Sequence, residues 1–215
     1  MFRRHQLSVR NSPALRFISV AFAAGLVAVS TNGCSEDEKA TSRVAFDSRV
    51  QPGTHKSADC GQTGTWFTIG TFGNPALGRT NPADPESPLI DPVIPIDDGA
   101  ADQQGTVVVS CSVTPEGEGF KVAAHAELTG ATGGAVTLQG HFNKTGDQPD
   151  IIVALTKRGE TFTDTKCVAR FDTLLGHSVA AGRVWAQVDC PNAENPGAQK
   201  TCESHAQFRF ENCAQ

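Results

Sequence analysis

The chain has 215 residues, 39% apolar and 19% charged, a balance that can bury one core of ordinary domain size with length left for a leader and a tether. Tyr is absent and Met stands only at position 1, whereas Phe occurs twelve times, so Phe and the aliphatics must supply the large core side chains. All four charges of residues 1–33 are arginines; without them the net charge passes from −5 to −9, and an acidic product with no basic cluster argues against a nucleic-acid partner.

Arg3, Arg4, Arg10 and Arg16 precede Phe17 to Val29, thirteen mostly apolar residues without charge, and Ser30 to Gly33 then leads to Cys34. A positive start, a short apolar run and small residues before a cut point read as a secretory signal over residues 1–33, too short to span a bilayer. With Gly33 as the small residue before it, Cys34 resembles the lipidated cysteine of bacterial lipoproteins. The resemblance implies a diacylglyceryl thioether on Cys34, a mature chain that begins there, and acyl chains that hold it on a membrane. Ser35 in the following place implies the outer membrane of a two-membrane cell. Cysteine parity agrees: seven cysteines leave one over, and lipidation of Cys34 leaves six to pair. Residues 34–58 are polar apart from Val44 to Phe46 and read as a flexible tether.

The domain is expected over residues 59–215. Thr65 to Phe72, aromatic and β-branched, predicts a first strand. Asn74 to Asp102 holds six of the twelve prolines, which deny it a central strand or a helix, and Leu89, Ile90, Val93 and Ile94 give it edge character. Thr106 to Val113 places Val107, Val109, Cys111 and Val113 on one face. Phe120 to Phe142 reads as a hairpin: Phe120, Val122, Ala124, Ala126 and Leu128 share a face with Val136, Leu138, Gly140 and Phe142, the glycine-rich Thr129 to Gly134 reversing the chain. The register that sets Leu128 opposite Val136 and Ala124 opposite Gly140 keeps both rows on that face. Ile151 to Thr156, Thr161 to Thr165, Cys167 to Phe171, Val184 to Cys190 and His205 to Glu211 complete the strands, with a turn at Arg158-Gly159 and room for one short helix between Asp172 and Gly182. The expected fold is all-β, an antiparallel β-sandwich of jelly-roll-like or Greek-key type with eight or nine strands, stabilised by disulfides.

Cys60, Cys111, Cys167, Cys190, Cys202 and Cys213 predict three bridges in an exported domain. Fifteen pairings are open, and Cys190 with Cys202 is favoured because a hairpin through Pro191 to Thr201 would bring their ends together. Structural zinc is disfavoured by the absence of a C-x-x-C pair.

Three groups invite chemistry. His125 and His141, with Glu127, fall on the outward hairpin face as a possible start for zinc or copper, against the plainer reading of a solvated face. Asp91, Asp97, Asp98 and Asp102 gather oxygen ligands of the kind calcium takes, though acidic loops are usually just solvated. Gly176-His177-Ser178 has the outline of a relaxed nucleophile elbow without the parallel α/β scaffold such an elbow needs. Trp66 and Trp185 are candidates for a binding face, Trp185 lying opposite the row Val184, Ala186 and Val188. No catalytic residue, metal or cofactor is assigned. The expectation is a non-catalytic, lipid-anchored protein of the cell envelope; a binding module for glycan, calcium or a protein partner is the alternative, and a small hydrolase the third reading.

Overall fold

The computed structural model describes residues 40–53, 60, 65–72, 75–81, 84–90, 93–131 and 133–215, with 75–81, 84–90 and Leu174 described by backbone alone. Lys39–Gln215 forms a compact unit separate from Met1–Glu38; Cys34 and Asp91 lie outside the described residues. The strands are β1 (Arg43–Gln51), β2 (Phe67–Ile69), β3 (Pro75–Asn81), β4 (Asp84–Ile90), β5 (Ile96–Asp97), β6 (Ala101–Asp102), β7 (Gly105–Glu116), β8 (Gly119–Leu128), β9 (Gly134–Phe142), β10 (Gln148–Lys157), β11 (Glu160–Arg170), β12 (Ser178–Ala180), β13 (Arg183–Asn195) and β14 (Lys200–Glu211), with one 3-10 turn at Thr173–Leu175.

Among the described residues twelve strands join one antiparallel sheet along the path β2-β1-β14-β13-β11-β10-β9-β8-β7-β6, with β12 on β13 and β5 on β1, while β3 and β4 pair apart. The sheet curls until its ends nearly meet. β5 pairs with β1, and the residues that follow it bind β7: Gly99 donates to Val107 O at 2.8 Å and Val107 to Ala100 O at 2.8 Å. At the other end of β7, Val113 donates to Ala214 O at 2.8 Å and Ala214 to Cys111 O at 2.9 Å. Both ends of an otherwise open edge are thereby covered, which removes the hazard of unpaired strand groups.

Strict alternation builds the interior. In β14, Cys202, Ser204, Ala206, Phe208 and Phe210 are buried while the residues between them are only partly covered. Across the interior Phe142 of β9 meets Phe208 edge-on at 6.4 Å between ring centres. Each fully buried side chain of this size contributes about 1.5–3 kcal/mol by leaving water. Most apolar side chains of the long strands point in and most charged ones point out, with Gln148 and His177 buried and Val108 and Ile152 exposed as exceptions, the reverse of the pattern of a barrel whose outside meets lipid.

All-β antiparallel structure with disulfides agrees with the sequence reading; the layering and strand count do not. One curled sheet replaces the two layers of a sandwich, and more strands than eight or nine are present, because β2, β5, β6 and β12 span only two or three residues and carry no legible period. Arg43–Gln51, expected in the tether, is instead an inner strand paired with β14 along its whole length. Its alternation hides because Ser48, a polar residue, takes an inward place and donates its hydroxyl to Phe67 O at 3.0 Å.

The hairpin register also differs. Ala126 faces Val136, Ala124 faces Leu138 and Val122 faces Gly140, two residues from the expected alignment. A shift of two keeps every apolar residue on its face, so patterning cannot detect it; the turn decides. The chain reverses between β8 and β9, and an added Cβ on Gly133 would stand 1.8 Å from Leu128 O, so only glycine allows so tight a return. The Arg158-Gly159 turn forms as expected, both residues having positive φ, 53° and 80°, as a two-residue hairpin turn demands.

The disulfides are Cys60–Cys202, Cys111–Cys213 and Cys167–Cys190, so the expected Cys190–Cys202 pair does not form. A bulge after Cys190 sets Cys190 opposite Ser204 and Cys202 opposite Ala193. The β11–β13 register, with Val168 opposite Asp189, brings Cys167 to Cys190 at a Cα separation of 4.2 Å.

Candidate functional site

The outward residues of β1, β14 and β13 make rows across three strands: Asp47, Gln207 and Gln187 in one, Arg49, His205 and Asp189 in the next. With Gln51 and the edge of Ala206 they line a concavity of about 330 Å³. Its geometry is set by the same alternation that fills the core, since Phe46, Ser48, Val188, Ser204 and Phe208 of these strands point the other way. The floor strands spend their backbone groups on one another, leaving side chains as the available groups.

One end of the trough is a bonded chain. Asp189 Oδ1 lies 2.7 Å from His205 Nδ1, and Asp189 Oδ2 accepts from Arg170 at 2.6 Å. Arg170 also reaches Asp147, with Nε 3.5 Å from Oδ2. Gln51 Nε2 stands 3.3 Å from His205 Nε2, and Glu203 Oε2 is 3.9 Å from the same nitrogen. With its proton on Nδ1 the imidazole would satisfy the two close contacts, donating to Asp189 and accepting from Gln51. The other end is less satisfied. Asp47 Oδ1 is buried without a hydrogen-bond partner. Burial raises the Asp47 pKa above its usual value, opposed by the charge of Arg49 and by hydrogen bonds from the Thr65 side chain and the Ser48 backbone. Among the described residues the amides of Gln187 and Gln207 have no hydrogen-bond partner.

Chemically the trough offers acceptors, donors and three amides able to be both, but none of its lining side chains is a hydroxyl or thiol nucleophile. The His205–Asp189 pair orients an imidazole at one end of the trough.

The expected site residues are scattered. His125 faces Thr137, bonding its hydroxyl at 3.2 Å, whereas His141 sits beside Lys121 and bonds Glu116 O at 3.0 Å. The corrected register thus separates the two histidines, and Glu127, 4.0 Å from His125, completes no ligand set. Asp97 pairs with Arg43 at 3.3 Å, Asp98 accepts from Val109 N at 2.8 Å and Asp102 from Gly70 N at 2.7 Å. These three carboxylates tie separate segments to the barrel instead of converging.

Among the described residues the group with metal-ligand spacing is Asp164, Cys167 and Cys190. Its two sulfurs are bonded to each other, and Asp164 accepts from Lys166 N at 2.8 Å and Asn192 N at 2.9 Å, which makes it a clasp for the strand irregularities beside it.

His177 is buried, its Nδ1 accepting from Asp172 N at 3.1 Å, and Ser178 bonds Gly176 O at 3.5 Å, so the two do not form a nucleophile–base pair. Burial lowers the His177 pKa, opposed by the charge of Asp172 and a backbone contact at Arg170. Trp66 meets Phe162 edge-on at 5.8 Å and packs against the core. Trp185 lies on the outward face as expected, one row along from Gln187, with the Arg209 guanidinium 4.7 Å from its ring centre and His177 at 5.2 Å.

No protein-family model, no characterised protein and no solved structure matches this chain. The trough is therefore read from its own residues. Sequence reasoning missed it: the outward places of Gln187, Asp189, His205 and Gln207 follow from alternation, but Asp47, Arg49 and Gln51 stood in the supposed tether.

Proposed function

We propose that the chain is an exported, lipid-anchored protein of the cell envelope, attached to the outer membrane through Cys34, and that its barrel acts without catalysis, as a binding module whose contact surface is the trough on β1, β14 and β13. The observation that carries this reading is the pairing of all six cysteines from Cys60 onward into three disulfides. Such a set persists in an oxidising compartment, and it leaves Cys34 as the one cysteine free for a thioether. The polar outside of the barrel favours attachment by acyl chains over insertion of the sheet. The lack of a hydroxyl or thiol nucleophile among the trough residues favours binding over acyl-transfer hydrolysis.

The test is expression of the full chain with its own leader in a two-membrane bacterium fed alkyne-tagged palmitate. The expected result is label on the protein, an intact mass equal to Cys34–Gln215 plus acyl chains, and recovery with the outer membrane. Cys34→Ser should abolish label and release the protein in soluble form. A wild-type mass without acyl chains overturns the anchor.

A further inference from the structure

The trough's open polar groups define what would fill it. Asp47 Oδ1 is buried out of a ligand's reach, whereas the half-buried Gln187 and Gln207 each hold out a carbonyl and an amide that have no hydrogen-bond partner among the described residues. The two amides ask for a ligand with both donors and acceptors, and a hydroxyl supplies both at one oxygen. Charge narrows the choice. The cations Arg49 and Arg170 are countered by Asp47, Asp189 and Asp147, so no net field selects an anion. A metal is not served either, because the trough's carboxylates and imidazole form no three-ligand group. A peptide would want a free strand edge or apolar pockets, and this floor has its ladders filled and only Ala206 as an apolar contact. The volume of about 330 Å³ lies at the small end of ligand clefts, enough for one or two sugar rings.

We infer that the trough binds a neutral saccharide through its hydroxyls, with Gln187 and Gln207 as the specificity-determining contacts. This rests on the reading of the barrel as a binding module and names its ligand class. Trp185 stands one row away with Arg209 over its ring, so stacking is not available to add affinity and dissociation constants fall in the millimolar range, about 1–10 mM.

The experiment uses the full chain with Cys34→Ser, exported so that its disulfides form, and follows side-chain amide signals in proton–nitrogen NMR spectra. Gln187→Ala and Gln207→Ala each delete one amide pair and so assign it. Glucose, galactose, N-acetylglucosamine, maltose and cellobiose are then titrated to about 100 mM, with inorganic phosphate and glycylglycine as competing chemistries. The expected result is a saturable shift of both glutamine amides with at least one sugar, and affinity for that sugar weakened about tenfold by either alanine variant, with the urea midpoint unchanged. Silence of both amides toward every sugar overturns the inference, as do shifts produced by phosphate or glycylglycine alone. Neither result depends on Cys34, so a failed anchor and a failed saccharide site are told apart.

Discussion

Removing the Cys111–Cys213 bridge tests whether the sheet closes where it is seen to close. The bridge spans 102 residues, whereas Cys167–Cys190 spans 23. On a chain-entropy account, constraint of the unfolded state is worth about 4.7 kcal/mol for the longer loop and about 3.4 kcal/mol for the shorter. Double alanine variants leave no lone thiol and remove the same atoms in both cases, so their difference, about 1.3 kcal/mol, isolates loop length. Urea unfolding of the exported Cys34→Ser protein supplies the comparison: both variants lower the midpoint, and Cys111→Ala/Cys213→Ala lowers it more. Hydrogen exchange then locates the change. Ala214 donates to Cys111 O at 2.9 Å and Val113 to Ala214 O at 2.8 Å, contacts held by the residue next to the bridge. Both amides should lose protection in this variant and keep it in Cys167→Ala/Cys190→Ala. Equal or reversed losses would refute the entropic ordering, and unchanged protection at Val113 and Ala214 would refute the role of the bridge in closure.

Leu138, 1% exposed, faces the interior from β9; Leu138→Ala should cost about 2–5 kcal/mol in urea unfolding, and a cost near zero would deny the inward face. His177 has a folded pKa below its usual 6.5, so the unfolded chain takes up the proton first on acidification: its contribution is intact above about pH 6.5 and is lost as pH falls through that value. The urea midpoint should therefore drop between about pH 7.5 and 5.5, less so in His177→Gln; Asp47, whose folded pKa is raised, binds its proton more readily when folded and acts in the opposite direction at lower pH. Asp164→Ala strands the amides of Lys166 and Asn192 and should cost about 1–3 kcal/mol, with added zinc giving no thermal stabilisation of the wild type. Gly105→Ala would put a methyl 1.8 Å from Thr129 O and should destabilise by more than about 2 kcal/mol, read by thermal unfolding.

Alternation made most of this fold legible, and its arithmetic also explains the errors. A period of two assigns faces but not neighbours: the row Phe120 to Leu128 is inward under any even shift, so the alignment two residues away satisfied the same pattern. The turn decided the matter through backbone approaches that no composition rule encodes, such as that of Gly133 to Leu128 O. The candidate histidine pair was lost by the same shift, since metal chemistry depends on neighbours and not only on faces.

A single polar residue had the larger consequence. Ser48 interrupts the inward row of Val44, Phe46 and Val50, and without that row Arg43–Gln51 reads as tether. Restoring it adds the strand whose outward side carries Asp47, Arg49 and Gln51 to the wall formed by β14 and β13. These strands lie far apart in sequence, Asp47 facing Gln207, and loop closure over such distances is fixed by the whole sheet, not by local preference. The face assignments of Gln187, Asp189, His205 and Gln207 were available from two local strands, but a trough needs walls from several. The Asp47 carboxyl oxygen that the fold buries without a partner, and the two open glutamine amides, sit where the strand hidden from sequence reading meets those that were plain.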